Sequence, residues 1–233
     1  MQTAEEVLAL LRKEGIPANL EGMRRFGIDT ANALGIPVPV LRGLARHIKK
    51  NHALALQLWQ TRIHEARILA SMIDDPGLVT EQQINTWVKD FASWDVCDQV
   101  CGNLFDKTPY AIDKVKEFST SKKEFVKRAA FSLVAGYATH NKKAGDKVFI
   151  DFLSIIEREA WDDRNFVKKA ANWALRGIGK RNIVLNKEAI KTAERILLQE
   201  TKAAKWIARD ALRELNSEAV YNKLVAKSKK AGK

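Results

Sequence analysis

The run Val126-Lys-Arg-Ala-Ala130 returns as Val167-Lys-Lys-Ala-Ala171, 41 residues further along the chain. Looser relatives are His64-Glu-Ala-Arg-Ile-Leu-Ala70 upstream and Lys205-Trp-Ile-Ala-Arg-Asp-Ala-Leu212 downstream. In each, basic or polar residues lead into an alanine-rich stretch whose small side chains let helices pack closely. Helix pairs recurring at about 35–45 residues suggest a HEAT- or armadillo-like solenoid. An irregular helical bundle carrying one chance repeat is the alternative. In a solenoid the second helix of each pair would line a concave groove, where a long anion could lie.

The rest of the chain agrees with an all-α class. Thr3…Glu6, Thr80…Gln83 and Ser121…Glu124 have capping-box spacing, and Thr108-Pro109 offers a cap followed by proline at the first helical position. Breaks fall at Gly15-Ile16-Pro17, Gly35-Ile36-Pro37-Val38-Pro39, Asp74-Asp75-Pro76-Gly77 and Trp161-Asp162-Asp163. Between them apolar residues recur at helical spacing, as in Leu41, Leu44, Ile48 and in Phe149, Phe152, Leu153, Ile156. No alternating pair of strands is evident. A single domain over residues 1–222 is expected, followed by a frayed Lys-rich tail, 223–233, with Lys223, Lys227, Lys229, Lys230 and Lys233.

Forty basic against 28 acidic residues give a formal charge of +12. That sign favours a polyanion, bound through phosphate neutralisation and counterion release. An anionic membrane surface would require a continuous apolar face flanked by cations, and no segment shows one. No run of 18 apolar residues could span a bilayer, and the N-terminus lacks a signal-peptide pattern. A cytoplasmic, nucleoid-associated monomer is the expectation. Cys97 and Cys101 are the only cysteines, four apart and without the further ligands a metal site needs, so buried reduced thiols are expected. The four histidines are scattered, and no Walker, GxGxxG or GxSxG motif occurs.

Two stripes carry the binding chemistry. Lys169, Trp173, Arg176 and Lys180 fall on one helical face, opposite Val167, Ala170, Ala171, Ala174, Leu175 and Ile178. Lys202, Trp206, Arg209 and Arg213 repeat the spacing. A solvated face accounts for the lysines but not for an indole among them; Trp206 could equally plug the core. Arg128 aligns with Lys169 across the repeat and would face the same groove, as a fork on a phosphate pair. Earlier in the chain, Ser93-Trp-Asp-Val-Cys-Asp98 sets Trp94 one helical turn from Asp98. Asp95 lies one step round and should point elsewhere. Asp98 could be a surface acid, a cap for a neighbouring helix, or a carboxylate aimed at a cationic lesion.

These segments, together with Leu34-Gly-Ile-Pro37 and Val167-Lys-Lys-Ala-Ala-Asn-Trp-Ala-Leu-Arg176, resemble the AlkD-type DNA alkylation-repair glycosylases, which are built from HEAT-like repeats. The resemblance runs to about residue 215. It implies a concave face that binds duplex DNA containing alkylated purines, with Asp98, Trp94, Trp173 and Arg128 around the damaged nucleotide and no metal or cofactor. Lys169, Arg176, Lys180, Arg209 and Arg213 would contact DNA. Two positions depart from the family pattern: Ser93 stands where members carry a second tryptophan, and Phe26 where a tyrosine is found.

The implied reaction is hydrolysis of the N-glycosidic bond of an N3- or N7-alkylated purine, a base already cationic and able to leave unprotonated. A carboxylate about 4 Å from the oxocarbenium-like sugar, at an effective dielectric near 20, offers roughly 4 kcal/mol, or about a thousandfold in rate. Two other functions fit the same residues: a non-catalytic protein that binds bent, branched or damaged DNA, and a protein-interaction HEAT scaffold.

Overall fold

The computed structural model describes residues 3–231. Among these residues there is no strand. The chain divides into two compact units, Met1–Thr108 and Pro109–Lys233.

The first unit comprises α1 (Ala4–Lys13), α2 (Asn19–Arg25), α3 (Val38–Ile48), α4 (His52–Gln60), α5 (His64–Ile73), α6 (Glu81–Trp87) and α7 (Trp94–Asn103). α5 packs against α3 on one side and α7 on the other, while α4 and α1 back it. Trp59 of α4 stacks on Trp87 of α6 with centroids 4.0 Å apart, and Phe91 and Phe105 complete that aromatic core. The turn before α3 is held by Glu65, whose buried carboxylate accepts from the amides of Leu34, Gly35 and Ile36. Gly35 sits at φ +78°, and a Cβ there would lie 2.2 Å from the Ile16 carbonyl oxygen, so only glycine fits.

The second unit comprises α8 (Ala111–Ser119), α9 (Glu124–His140), α10 (Asp146–Glu159), α11 (Asn165–Gly179), α12 (Ile183–Leu197), α13 (Lys202–Leu215) and α14 (Glu218–Ala231). Its helices form two layers. α9, α11 and α13 pack side by side as the second members of three hairpins, and α8, α10 and α12 are their partners. The repeated motif therefore marks equivalent positions at the starts of α9 and α11. Its alanines, Ala129, Ala130, Ala170 and Ala171, are all buried. Buried Asn172 donates to the Ile207 carbonyl and ties α11 to α13 at 3.1 Å.

Several local expectations change. Thr3 and Glu6 form the full capping box of α1. Thr80 caps α6, but the Gln83 side chain turns to buried Asp74, at 2.7 Å, instead of back to the cap. α9 begins at Glu124 without a side-chain cap, because Ser121 accepts from Lys123 in a tight turn. α8 begins at Ala111, while the Thr108 hydroxyl donates to Phe105. The Lys-rich tail is no frayed end up to Ala231: Lys223, Lys227 and Lys229 belong to α14. Lys227 Nζ donates to the Lys180 carbonyl at 2.8 Å. Lys233 and the side chain of Lys230 lie outside the described residues.

Candidate nucleic-acid interface

On α7 the two carboxylates have different fates. Asp95 turns toward α5: one oxygen pairs with His64 Nε2 at 2.8 Å, and the other accepts from Ser93 Oγ and the Val96 amide at 2.7 and 2.9 Å. Burial would lower the His64 pKa, but the bond and charge of Asp95 outweigh it and raise it. Burial would likewise raise Asp95, and His64 and Ser93 hold it below its ordinary value instead. This arrangement fixes the first turn of α7. Trp94 and Asp98, one turn apart on another face, remain partly exposed.

Trp94 Nε1 donates to the carbonyl of Phe26 at 3.0 Å. Phe26, at the end of α2, is itself 72% exposed. Cys97 and Cys101 are fully buried on the core side of α7 and form no disulfide, as the sequence suggested. Burial pushes the Cys101 thiol well up, with Cys97 and Asp98 acting in the same direction.

In the second unit the apolar face of α11 is buried as expected, and Trp173 is exposed opposite it. Trp206 is also exposed, so it does not plug the core. Lys169, Arg209 and Arg213 reach solvent. Arg176 and Lys180 do not stand as solvated cations, however. Arg176 Nη1 and Lys180 Nζ share the Glu214 carboxylate of α13, the lysine at 2.6 Å, and Arg176 Nε lies 3.7 Å from Asp210. Burial would raise the Glu214 carboxyl, and Lys180 and Arg176 hold it low instead.

Arg128 departs further from the expectation of an open fork. It is only 5% exposed, and its Nη1 donates to the Phe166 carbonyl in the first turn of α11 at 2.6 Å. Its repeat equivalent, Lys169, is exposed. Beside Arg128, buried Lys127 pairs with Glu159 at 2.7 Å and Asp162 at 2.9 Å. It also lies 4.6 Å from the ring centroid of Trp161. Sequence spacing did not single out Glu214 or the Lys127 cluster, since their partners lie more than 30 residues away.

A basic depression in the first unit was also missed. Arg42 and Arg46 of α3 line it with Pro39, Ala45, Met72 and Asn103. Their i, i+4 spacing was the available signal. Among the described residues no group of three or more His, Cys, Asp or Glu is placed to hold a metal ion. No described helix is long and apolar enough to cross a membrane.

An all-helical repeat protein whose second-row helices expose cations and indoles belongs to the HEAT-like class. Residues 7–215 match the DNA alkylation repair enzyme family, and the chain belongs to that family. The fold is similar to a solved structure described as a new family of proteins related to the HEAT-like repeat DNA glycosylases with affinity for branched DNA structures. The identity is 18%, the match covers 91% of this chain and 95% of that one, and the TM-score is 0.76. A designed armadillo repeat protein in complex with a (KR)4 peptide gives a weaker match, at TM-score 0.35 and 14% identity over 80% of this chain and 89% of that one. The search of curated proteins finds no match.

Proposed function

We propose that the protein is a DNA glycosylase that releases cationic N3- and N7-alkylated purines from duplex DNA. The observation that carries this reading is the placement of Asp98 on α7, partly exposed and one turn from Trp94 on the same face of the helix. In the proposed reaction Asp98 stabilises positive charge developing on the deoxyribose and orients the attacking water. Trp94 of the first unit packs against the sugar, while in the second unit Trp173 and the exposed cations Lys169, Arg209 and Arg213 contact the DNA backbone. The departing base is already positive, so no general acid is needed. Scission moves the glycosidic electron pair onto the base nitrogen, and water then adds to the sugar carbon and loses a proton.

Asp98→Asn keeps the shape and removes the charge. It is expected to lower 7-methylguanine release from methylated duplex by about a thousandfold while leaving DNA affinity within about twofold. Release at the wild-type rate would sink the catalytic assignment.

A second reading has its own support. The structure with the shared fold is described by its affinity for branched DNA, and in this chain Ser93 and Phe26 replace aromatic residues of the glycosylase pattern. Ser93 is buried against Asp95, so its position is used to build α7 instead of the DNA surface. A non-catalytic binder of branched DNA predicts tight binding with no abasic sites formed on alkylated duplex, and the same assay separates the two.

A further inference from the structure

Trp206 lies in an open cleft of about 410 Å³ on α13, lined by Lys202, Lys205, Arg209, Asp210 and Arg213 as well as its own ring. The indole is 41% exposed. Four cations surround it; Arg213 is paired with the single carboxylate, Asp210, and Lys202, Lys205 and Arg209 leave the lining net positive. From the neighbouring helix, Lys168 Nζ lies 5.8 Å from the ring centroid. We propose that Trp206 is a stacking platform for an unpaired base of DNA, with the surrounding cations holding the phosphates on either side of that nucleotide. The proposal rests on the DNA-binding part of the reading above and not on base release.

The argument turns on what an exposed indole among cations can do that the cations cannot. Phosphates are bound by Lys and Arg alone, and an indole adds nothing to their neutralisation. Inside a duplex both faces of each base are covered by neighbouring bases, so a paired base offers no surface to stack upon. A base in a single-stranded arm, at a junction or at a frayed end has a bare face. Stacking on an aromatic side chain is then the usual source of affinity, insensitive to which base is present. The cleft has room for a planar base together with its phosphate, and its charge suits the flanking backbone.

The test uses the full chain and two labelled probes: a blunt duplex, and the same duplex carrying a single-stranded arm. Dissociation constants are measured by fluorescence anisotropy for wild type, Trp206→Ala, Trp206→Leu and Trp206→Phe. Circular dichroism checks that each variant is folded, and the surface position of the ring favours that result. The alanine and leucine variants are expected to lose about 5- to 100-fold on the armed probe and less than about twofold on the blunt duplex. The phenylalanine variant should keep most of the affinity. A loss confined to the armed probe supports the proposal even if wild type releases no alkylated base, an outcome that would end the glycosylase reading alone. Equal losses on both probes would assign Trp206 to a sugar or phosphate contact and overturn the proposal. So would leucine matching wild type, or no DNA binding by wild type.

Discussion

At the scale of single residues, charge is used in two ways that sequence spacing cannot separate. Arg176 and Lys180 look like two more cations of a phosphate-tracking stripe, yet both are spent on Glu214. Replacing Glu214 with Gln removes the competitor for both. Duplex affinity is expected to rise several-fold, and the slope of log K against log salt should steepen by about one unit or more. An unchanged slope in a salt titration would show that neither cation can reach phosphate. Arg209→Ala, at an exposed position, should instead flatten the slope by about one unit. Arg128→Ala is a different experiment, since this side chain is buried and its loss removes the bond to Phe166, so it is expected to cost stability.

At the scale of the element, the first turn of α7 depends on one ion pair. His64 is 8% and Asp95 15% exposed at the side chain, and breaking such a pair by removing one partner costs about 3 kcal/mol. The signs of its pH dependence are opposite at the two ends. His64 has a raised folded pKa, so its contribution is complete below the ordinary 6.5 and disappears as pH rises through the folded value. Asp95 has a lowered folded pKa, so its contribution is present above the ordinary 3.8 and is lost as pH falls through the folded value. Thermal denaturation of His64→Gln across pH should show the alkaline limb flattened relative to wild type. A variant that keeps the wild-type alkaline slope would place that titration elsewhere. In the turn that leads into α3, Gly35→Ala is expected to destabilise by about 1–3 kcal/mol or more, because it combines a positive φ with a clash against Ile16. A denaturation midpoint equal to that of wild type would refute this account.

At the scale of the molecule, a formal charge of +12 is offset locally at the buried cations Lys114 and Lys127, each of which meets a carboxylate. The strongest case is Lys127 with Glu159, Asp162 and Arg164 at the α10–α11 turn. Burial would raise the Asp162 carboxyl, but Arg164 and Lys127 bring it down to about 2. Its contribution to stability is therefore full above the ordinary 3.8 and is lost as pH falls toward about 2. Asp162→Asn should flatten acid unfolding in that window, as followed by circular dichroism. An undiminished acid limb would mean that other carboxylates govern it.

The sequence by itself determined the helical class, the placement of the breaks and the buried face of α11. Those features follow from local periodicity and from the backbone restrictions of Gly and Pro. It also determined which carboxylate of α7 shares a side with Trp94, because on a helix residues four apart share a face and residues one apart do not. Only the tertiary structure decided that Trp206 is exposed, that Arg128 is buried against Phe166, and that Glu214 takes two cations out of the stripe. It also decided that the last lysines continue a helix, where Lys227 reaches the Lys180 carbonyl. The contacts of Arg128, Glu214 and Lys227 rest on partners about 30 to 50 residues apart that meet through helix packing. The reach of a side chain across such a contact leaves no trace in the spacing of its own helix.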